Sequence, residues 1–203
     1  MSLVFYTNPQ SRGRIARWML EEVGAPYETV VLGYADSMKA AEYRAINPMA
    51  KVPAIVHDGR VVTECAAICA YLADAFPDAG LAPPTSDRAD YYRWLFFAAG
   101  PVEQAVIDHV RKIEVTAEQG RMVGYGSYDA TVDALDEAVQ GRHFIAGDRF
   151  TAADVYVGSH MAWGLAFGTL PTRDAFETYL SGLIARPAYQ RAQQLDEQAA
   201  AAA

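Results

Sequence analysis

Residues 47–65 read Asn47-Pro48-Met49-Ala50-Lys51-Val52-Pro53-Ala54-Ile55-Val56-His57-Asp58-Gly59-Arg60-Val61-Val62-Thr63-Glu64-Cys65. Asn47-Pro48 closes a helical stretch, because the residue before a proline is pushed out of the helical region. Val52–Val56 and Val61–Thr63 are β-formers on either side of His57-Asp58-Gly59, and Asp-Gly is a tight-hairpin signature. Proline at the entry to the first strand is tolerated, since the amide it lacks is not needed there. A cis Val52–Pro53 bond would turn the valine backbone outward to pair with an extended ligand. At the far end Thr63-Glu64-Cys65 passes the second strand into a helix over Glu64–Phe76. Ile68, Tyr71, Leu72 and Phe76 are in phase there, and Pro77 stops it. Glu64 reads either as an acid capping that helix or as a carboxylate beside outward-facing amide donors.

Upstream, Leu3–Tyr6 is a short β-forming run broken by Thr7-Asn8-Pro9. From Ser11 the pattern turns helical, with Ile15, Trp18, Met19 and Val23 in phase and Gly24 as a stop. Tyr27–Leu32 predicts a second strand and Ser37–Ile46 a short helix. The order is βαβ, then α, then ββα. A crossover helix between the first two strands implies that they run parallel, and the hairpin adds antiparallel strands. The first half is therefore a small mixed sheet with helices on its faces.

Asp78–Thr85 (DAGLAPPT) is rich in proline and glycine and reads as a linker. Beyond it every pattern is helical. Ser86–Glu114 carries Tyr91, Trp94, Leu95, Ala98 and Val102 on one face, with a kink expected at Gly100-Pro101. Ser127–Gln140 follows, and then Thr151-Ala152-Ala153-Asp154. Threonine with an acid three residues on resembles a capping box, and Phe150 and Val155 stand where a hydrophobic staple would be. That helix runs to about Phe167. Asp174–Ile184 and Pro187–Glu197 complete the chain, and Gln198–Ala203 is a low-complexity tail expected to fray. The division is 1–77 for the α/β part, 78–85 for the linker and 86–203 for the helical part.

The 203 residues are 52% hydrophobic, enough for a sizeable core. A net charge of −8 and a pI of about 4.9 argue against a nucleic-acid partner. No apolar run is long enough to span a membrane, and no secretory signal is recognisable, so a cytoplasmic location is expected. Cys65 and Cys69 are four apart in an apolar helix, which is neither a redox pair nor a metal-ligand set. No metal is expected. Arg12, Arg14 and Arg17 cluster at the start of the first helix. They form either a local anion site or a solvated face partnered by Glu21 and Glu22.

Taken together, a βαβ unit with Ser11 opening its helix, Asn47-Pro48-x-x-Lys51-Val52-Pro53 and Thr63-Glu64 resembles the cytosolic glutathione S-transferases, bacterial and with a serine-type site. The linker and Phe150-Thr151-Ala152-Ala153-Asp154 match that family too, so the resemblance spans Leu3 to about Leu195. It implies a thioredoxin-like βαβαββα domain followed by a helical bundle, glutathione as co-substrate, and a homodimer. Val52, with Pro53 cis, would pair with the cysteinyl part of glutathione. Glu64 would meet the γ-glutamyl amino group, and Cys65 stands where serine is usual. Lys51 or an arginine such as Arg12 would neutralise the glycyl carboxylate. Ser11 would stabilise the thiolate, with Asn8 or the amide of Arg12 as alternative donors, while Tyr6 is assigned to the core. Tyr92, Phe97, Trp163 and Phe167 are expected to line an electrophile pocket, alongside Tyr91 and Trp94. The implied activity is conjugation of glutathione to hydrophobic electrophiles. Peroxide reduction by the same thiolate, or a fold retained for binding or regulation alone, are the alternatives.

Overall fold

The computed structural model describes residues 2–202. Its elements are β1 (Leu3–Thr7), α1 (Gly13–Val23), β2 (Glu28–Val31), α2 (Ala41–Ile46), β3 (Ala54–His57), β4 (Arg60–Thr63) and α3 (Cys65–Ala75). The chain continues in helices α4 (Ala89–Phe97), α5 (Glu103–Val110), α6 (Tyr128–Val139), α7 (Ala152–Ala166), α8 (Asp174–Ile184) and α9 (Pro187–Ala201). Among the described residues an α/β domain with a thioredoxin-like mixed sheet is thus followed by helices and no further strand. The contacts divide the chain into two compact units, Met1–Leu81 with Ala185–Ala203, and Ala82–Ile184.

In the first unit the sheet order is β2-β1-β3-β4. β1 pairs parallel with β2 and antiparallel with β3, which pairs antiparallel with β4. Alternation along β1 sends Leu3, Phe5 and Thr7 to the more deeply buried face. The opposite face holds Leu32, Met38, Tyr43 and Ala54, with Tyr6, Val30, Ile46 and Val52 packed against them. Tyr6 lies 5.5 Å from the Tyr43 ring and is a packing residue, as its strand position implies. Asp58 and Gly59 both have positive φ, 46° and 79°, the backbone of a tight primed hairpin turn. The expected helix over Ser37–Ile46 is broken at Ala40 into a single 3-10 turn, Ser37–Lys39, and α2. The Ser37 hydroxyl accepts from Gly33 N–H and the Asp36 carboxylate from Ser37 N–H, so local side-chain bonds compete with helix continuation.

The last helix packs on α1 and belongs to this unit, although chain order put it in the helical part. Ala188, Ala192 and Asp196 form its buried stripe. Arg17 donates to Asp196 at 2.7 Å, both side chains being almost wholly buried, and Arg186 grips Glu22 with two 2.7 Å bonds. The alanine tail, expected to fray, is helical as far as Ala201, where the best helix-forming residue repeats.

In the second unit α4 and α5 are joined through Ala98–Val102, a π-helical turn containing Pro101. The kink expected at Gly100-Pro101 is absorbed there, because a wider turn accommodates the missing donor. The capping box at Thr151 is present. Asp154 is fully buried and accepts from the amides of Ile145 and Thr151 at 2.8 Å and from the Tyr179 hydroxyl at 2.9 Å. Burial and then the Asp154 charge push the Tyr179 hydroxyl well above its ordinary pKa, which keeps it a donor. Among the described residues no helix is long and apolar enough to cross a membrane.

Two stability outcomes follow from these buried groups. Asp154→Ala removes the acceptor from the buried amides of Ile145 and Thr151 and from the Thr151 and Tyr179 hydroxyls, each costing about 1–3 kcal/mol. Urea unfolding should show a loss of at least about 3 kcal/mol. Asp196→Ala leaves Arg17 buried without its counter-charge and should cost about 3–5 kcal/mol. The double change Arg17→Met with Asp196→Leu should recover most of that loss in the same measurement.

Candidate functional site

The strand registers set the position of the site. Tyr6 faces Ala54, and Ala54 faces Thr63, across β1, β3 and β4. The residues that follow β1, precede β3 and follow β4 therefore emerge at one end of the sheet. Those residues are Asn8–Arg12, directly after Thr7 at the end of β1, together with Lys51–Pro53 and Glu64–Cys65. Three segments separated by tens of residues in sequence are brought together by pairing alone.

The first segment is a tethered turn. The Asn8 side chain donates to the Leu32 carbonyl at 2.8 Å and accepts from Gln10 N–H at 2.9 Å. Leu32 N–H returns a bond to the Thr7 carbonyl at 2.8 Å. The Tyr34 hydroxyl, on a half-exposed ring, donates to the Gln10 carbonyl at 2.9 Å. Ser11 Oγ donates to the Asn8 carbonyl at 2.7 Å and accepts from Gly13 N–H at 2.9 Å. Ser11 is thus the side-chain cap of α1, whose residue 12 supplies no side-chain cap. Gly13 is needed here: a Cβ at this position would stand 2.0 Å from Thr7 Oγ1.

The second segment turns on Asn47. Its carboxamide donates to the Lys51 carbonyl at 2.8 Å and accepts from Met49 N–H at 3.1 Å. The Tyr43 hydroxyl donates to the same Lys51 carbonyl at 2.5 Å, and burial pushes its pKa up to about 12, so it stays protonated. Ala50 is held at φ 51°, and Lys39 Nζ reaches its carbonyl at 3.3 Å. This clasp delivers Val52–Pro53, which is cis, to the start of β3. The Val52 side chain packs into the core cluster, while its backbone precedes the paired register that begins at Ala54. The Lys51 side chain is exposed.

The third segment is the most unusual. Glu64 has φ 66° and ψ 116°, a region that residues with a side chain seldom occupy. Its carboxylate is exposed and makes no capping hydrogen bond. The reading of Glu64 as a mere capping acid is set aside by this geometry. The Cys65 thiol is buried and donates to the Arg12 carbonyl at 3.5 Å, which brings the start of α3 against the start of α1. Cys69 is buried and free in the interior of α3. Among the described residues no group of three or more His, Cys, Asp or Glu could hold a metal ion.

The residues expected to line an electrophile pocket lie in the second unit. Tyr91 and Trp94 are core residues, 1% and 6% exposed. Phe97 is half-buried, edge-on to Trp94 at 5.5 Å, and Trp163 is half-buried. Tyr92 and Phe167 are 41% and 75% exposed. Tyr92 packs against Phe96 and accepts from Arg88 at 3.1 Å. Among the described ring contacts none joins Tyr92, Phe97, Trp163 and Phe167 to one another. A separate cleft of about 350 Å³ opens beside the π-helical turn, lined by Gly100, Pro101, Gln104, Ile107 and Tyr125 among others. Asp108 braces its wall by accepting from Gln104 and Tyr125 at 2.8 Å, and those two bonds hold its carboxyl below the ordinary range.

Sequence patterning missed Thr7, Tyr34 and Tyr43 as supports of the site. None carries a signal of its own, because Tyr34 acts across the strand pair on Gln10, and Tyr43 and Thr7 act through turns whose course no periodicity gives.

The family model of the glutathione S-transferase N-terminal domain matches residues 12–75. Glutathione S-transferase GstA of Escherichia coli O157:H7 is 32% identical over 128 residues, which are 62% of this chain and 63% of that protein. In that match the chain spans just under two thirds of the relative's length. Glutathione S-transferase GST-4.5 of Xanthomonas campestris pv. campestris is 29% identical over 186 residues, 84% of this chain and 89% of that protein. A sphingomonad glutathione S-transferase, solved in complex with glutathione, superposes with a TM-score of 0.78 at 27% identity, covering 96% of this chain and 98% of that one. The fold is likewise that of a glutathione transferase from Methylococcus capsulatus, with a TM-score of 0.79 at 24% identity over 97% and 99% of the two chains. These matches show that residues 12–75 are a glutathione S-transferase N-terminal domain and that the chain as a whole has the fold of the glutathione S-transferase superfamily.

Proposed function

We propose that this chain is a cytoplasmic, homodimeric glutathione transferase that activates the glutathione thiol for attack on hydrophobic electrophiles. The observation that carries the reading is Glu64: an exposed carboxylate on a strained backbone, left out of the helix cap it precedes. Strain of this kind costs of order 1–3 kcal/mol and persists where the surroundings impose it, commonly at ligand sites. A free carboxylate at that point suits the γ-glutamyl ammonium group. The first amides of α3 suit the adjoining carboxylate, and the start of an eleven-residue helix favours an anion electrostatically. Because the Cys65 thiol is spent on the Arg12 carbonyl, those amides must do the work a serine hydroxyl would share. The Val52 backbone, ahead of the paired register, is suited to the cysteinyl unit, and Lys51 or Arg12 to the glycyl carboxylate.

The thiol is then directed at the Asn8–Arg12 turn. A free thiol ionises near pH ~8.5, and lowering that by about two units needs roughly 2.7 kcal/mol of preferential stabilisation of the thiolate. A charge-assisted hydrogen bond supplies about 1.5–3 kcal/mol. Ser11 is the donor best suited to this. The Asn8 carboxamide gives one N–H to the Leu32 carbonyl and keeps the other, whereas Ser11 need only turn its proton from the Asn8 carbonyl toward sulfur. The second Asn8 N–H and the Arg12 amide are the alternatives. The thiolate attacks the electrophilic carbon, a sulfur–carbon bond forms, and the leaving group departs with its electron pair. Tyr92, Phe97, Trp163 and Phe167 are our candidates for holding the electrophile.

One observation favours a second reading, binding without turnover. The Ser11 hydroxyl already has a 2.7 Å acceptor and caps α1, so its catalytic use has a competitor. Retention on immobilised glutathione followed by conjugation of an aryl halide separates the two. No retention defeats both; retention without turnover of any electrophile favours the second. For the transferase, Ser11→Ala should lower kcat about 10²-fold with the KM for glutathione nearly unchanged. Unchanged turnover would remove Ser11 and leave Asn8 or the Arg12 amide. Glu64→Gln should instead raise the Kd for glutathione about tenfold, a change of about 1.4 kcal/mol, read by calorimetry.

A further inference from the structure

Thr7 is the last residue of β1 and points to the buried face, where it is completely excluded from solvent. Its hydroxyl oxygen has no hydrogen-bond partner among the described residues. A buried hydroxyl left in that state costs about 1–3 kcal/mol, and a valine would fill nearly the same volume without the penalty. The position of the hydroxyl is informative. The site of an added Cβ on Gly13 lies 2.0 Å from Thr7 Oγ1 and 3.0 Å from Ser11 Oγ, so both hydroxyl oxygens border one spot at the start of α1.

Ser11 Oγ has one proton to give and two lone pairs to receive. The proton goes to the Asn8 carbonyl and one lone pair takes Gly13 N–H. The second lone pair is where Thr7 can donate.

We infer that Thr7 is a positioning residue for thiol activation, its buried hydroxyl donating to Ser11 Oγ when Ser11 turns its own proton toward the glutathione sulfur. This rests on the Ser11 role proposed above and adds a member to it. No proton is transferred. Thr7 O–H to Ser11 Oγ, and Ser11 O–H to sulfur, form a two-bond chain in which the first bond polarises the second donor. At rest Ser11 bonds the turn; with substrate bound it releases the Asn8 carbonyl, and Thr7 holds the oxygen in place for the new acceptor. Gly13 is the residue that permits the approach.

The test compares Thr7→Val, Thr7→Ser and Ser11→Ala as full-length proteins with glutathione bound. Ionisation of the bound thiol is followed by thiolate ultraviolet absorbance against pH, and turnover of an aryl halide is measured in parallel. Thr7→Val should move the midpoint upward by about half a unit to one unit and lower kcat at the acid end of the profile about 3–10-fold. The KM for glutathione should be unchanged and the melting temperature equal or higher, an outcome that a purely packing role for Thr7 would not give. Thr7→Ser should restore the wild-type profile. Adding Thr7→Val to Ser11→Ala should have no further effect on ionisation. If Ser11→Ala shifts the midpoint and Thr7→Val does not, the inference is overturned while the Ser11 role stands. If Ser11→Ala shifts nothing, both fall together.

Discussion

The first turn of α1 can lie against the end of β1 only because residue 13 has no side chain. Any Cβ there would run into Thr7. That single close approach puts the Ser11 hydroxyl over the strand end and turns the Arg12 carbonyl toward the start of α3, where the Cys65 thiol meets it. It also lets Asn8 reach back to Leu32, so that the turn is fastened to the strand pair it leaves. A larger residue at 13 would lift the helix start. The site would lose its convergence before it lost any one of its side chains.

Holding α1 in that position falls to a part of the chain far away in sequence. Arg17 lies one turn into the helix, its guanidinium 5.2 Å from the centre of the Phe5 ring and within bonding reach of Tyr27, Thr29 and Asp196. Glu22, near the other end, receives Arg186 and the Trp18 indole. The Trp18 ring in turn meets Tyr189 edge-on at 4.9 Å. The bonds to α9 and to the residue before it thus pin α1 at both ends. An isolated buried ion pair is a weak source of stability but a strong specifier of register, since a slip would strand both charges. The pair therefore belongs with the geometry of the site as much as with the stability of the unit.

Local pattern made some of this legible before any coordinates. Asp58-Gly59 announced a hairpin because both residues must take positive φ, and they do. Thr151 with Asp154 announced a helix start for the equally local reason of cap chemistry. Asn47, Lys51, Val52, Pro53 and Glu64 were identified as a set by resemblance, and the clasp around the Lys51 carbonyl gives that spacing a physical basis. What stayed hidden is what spans long separations. Asp196 finds Arg17 across 179 residues, and Tyr34 finds Gln10 across 24. No periodicity in either stretch announces a partner. The broken helix at Ala40 was missed for another reason: the apolar spacing was helical, but Asp36 and Ser37 offered the backbone competing bonds.

Glu64 shows why a site residue can be at odds with its local structure. As the residue between a strand and a helix, it would be most comfortable as a glycine, which takes φ 66° without penalty. Glycine would leave the corner without a carboxylate. A side-chain cap from Asp or Ser would satisfy one amide of α3 but occupy the donor an incoming carboxylate needs. The observed arrangement does neither. The backbone is strained, and the side chain makes no bond to the first amides of the helix. In the proposed role, that combination would lower the reorganisation required when glutathione binds, so that strain held by a rigid frame would be converted into ligand affinity.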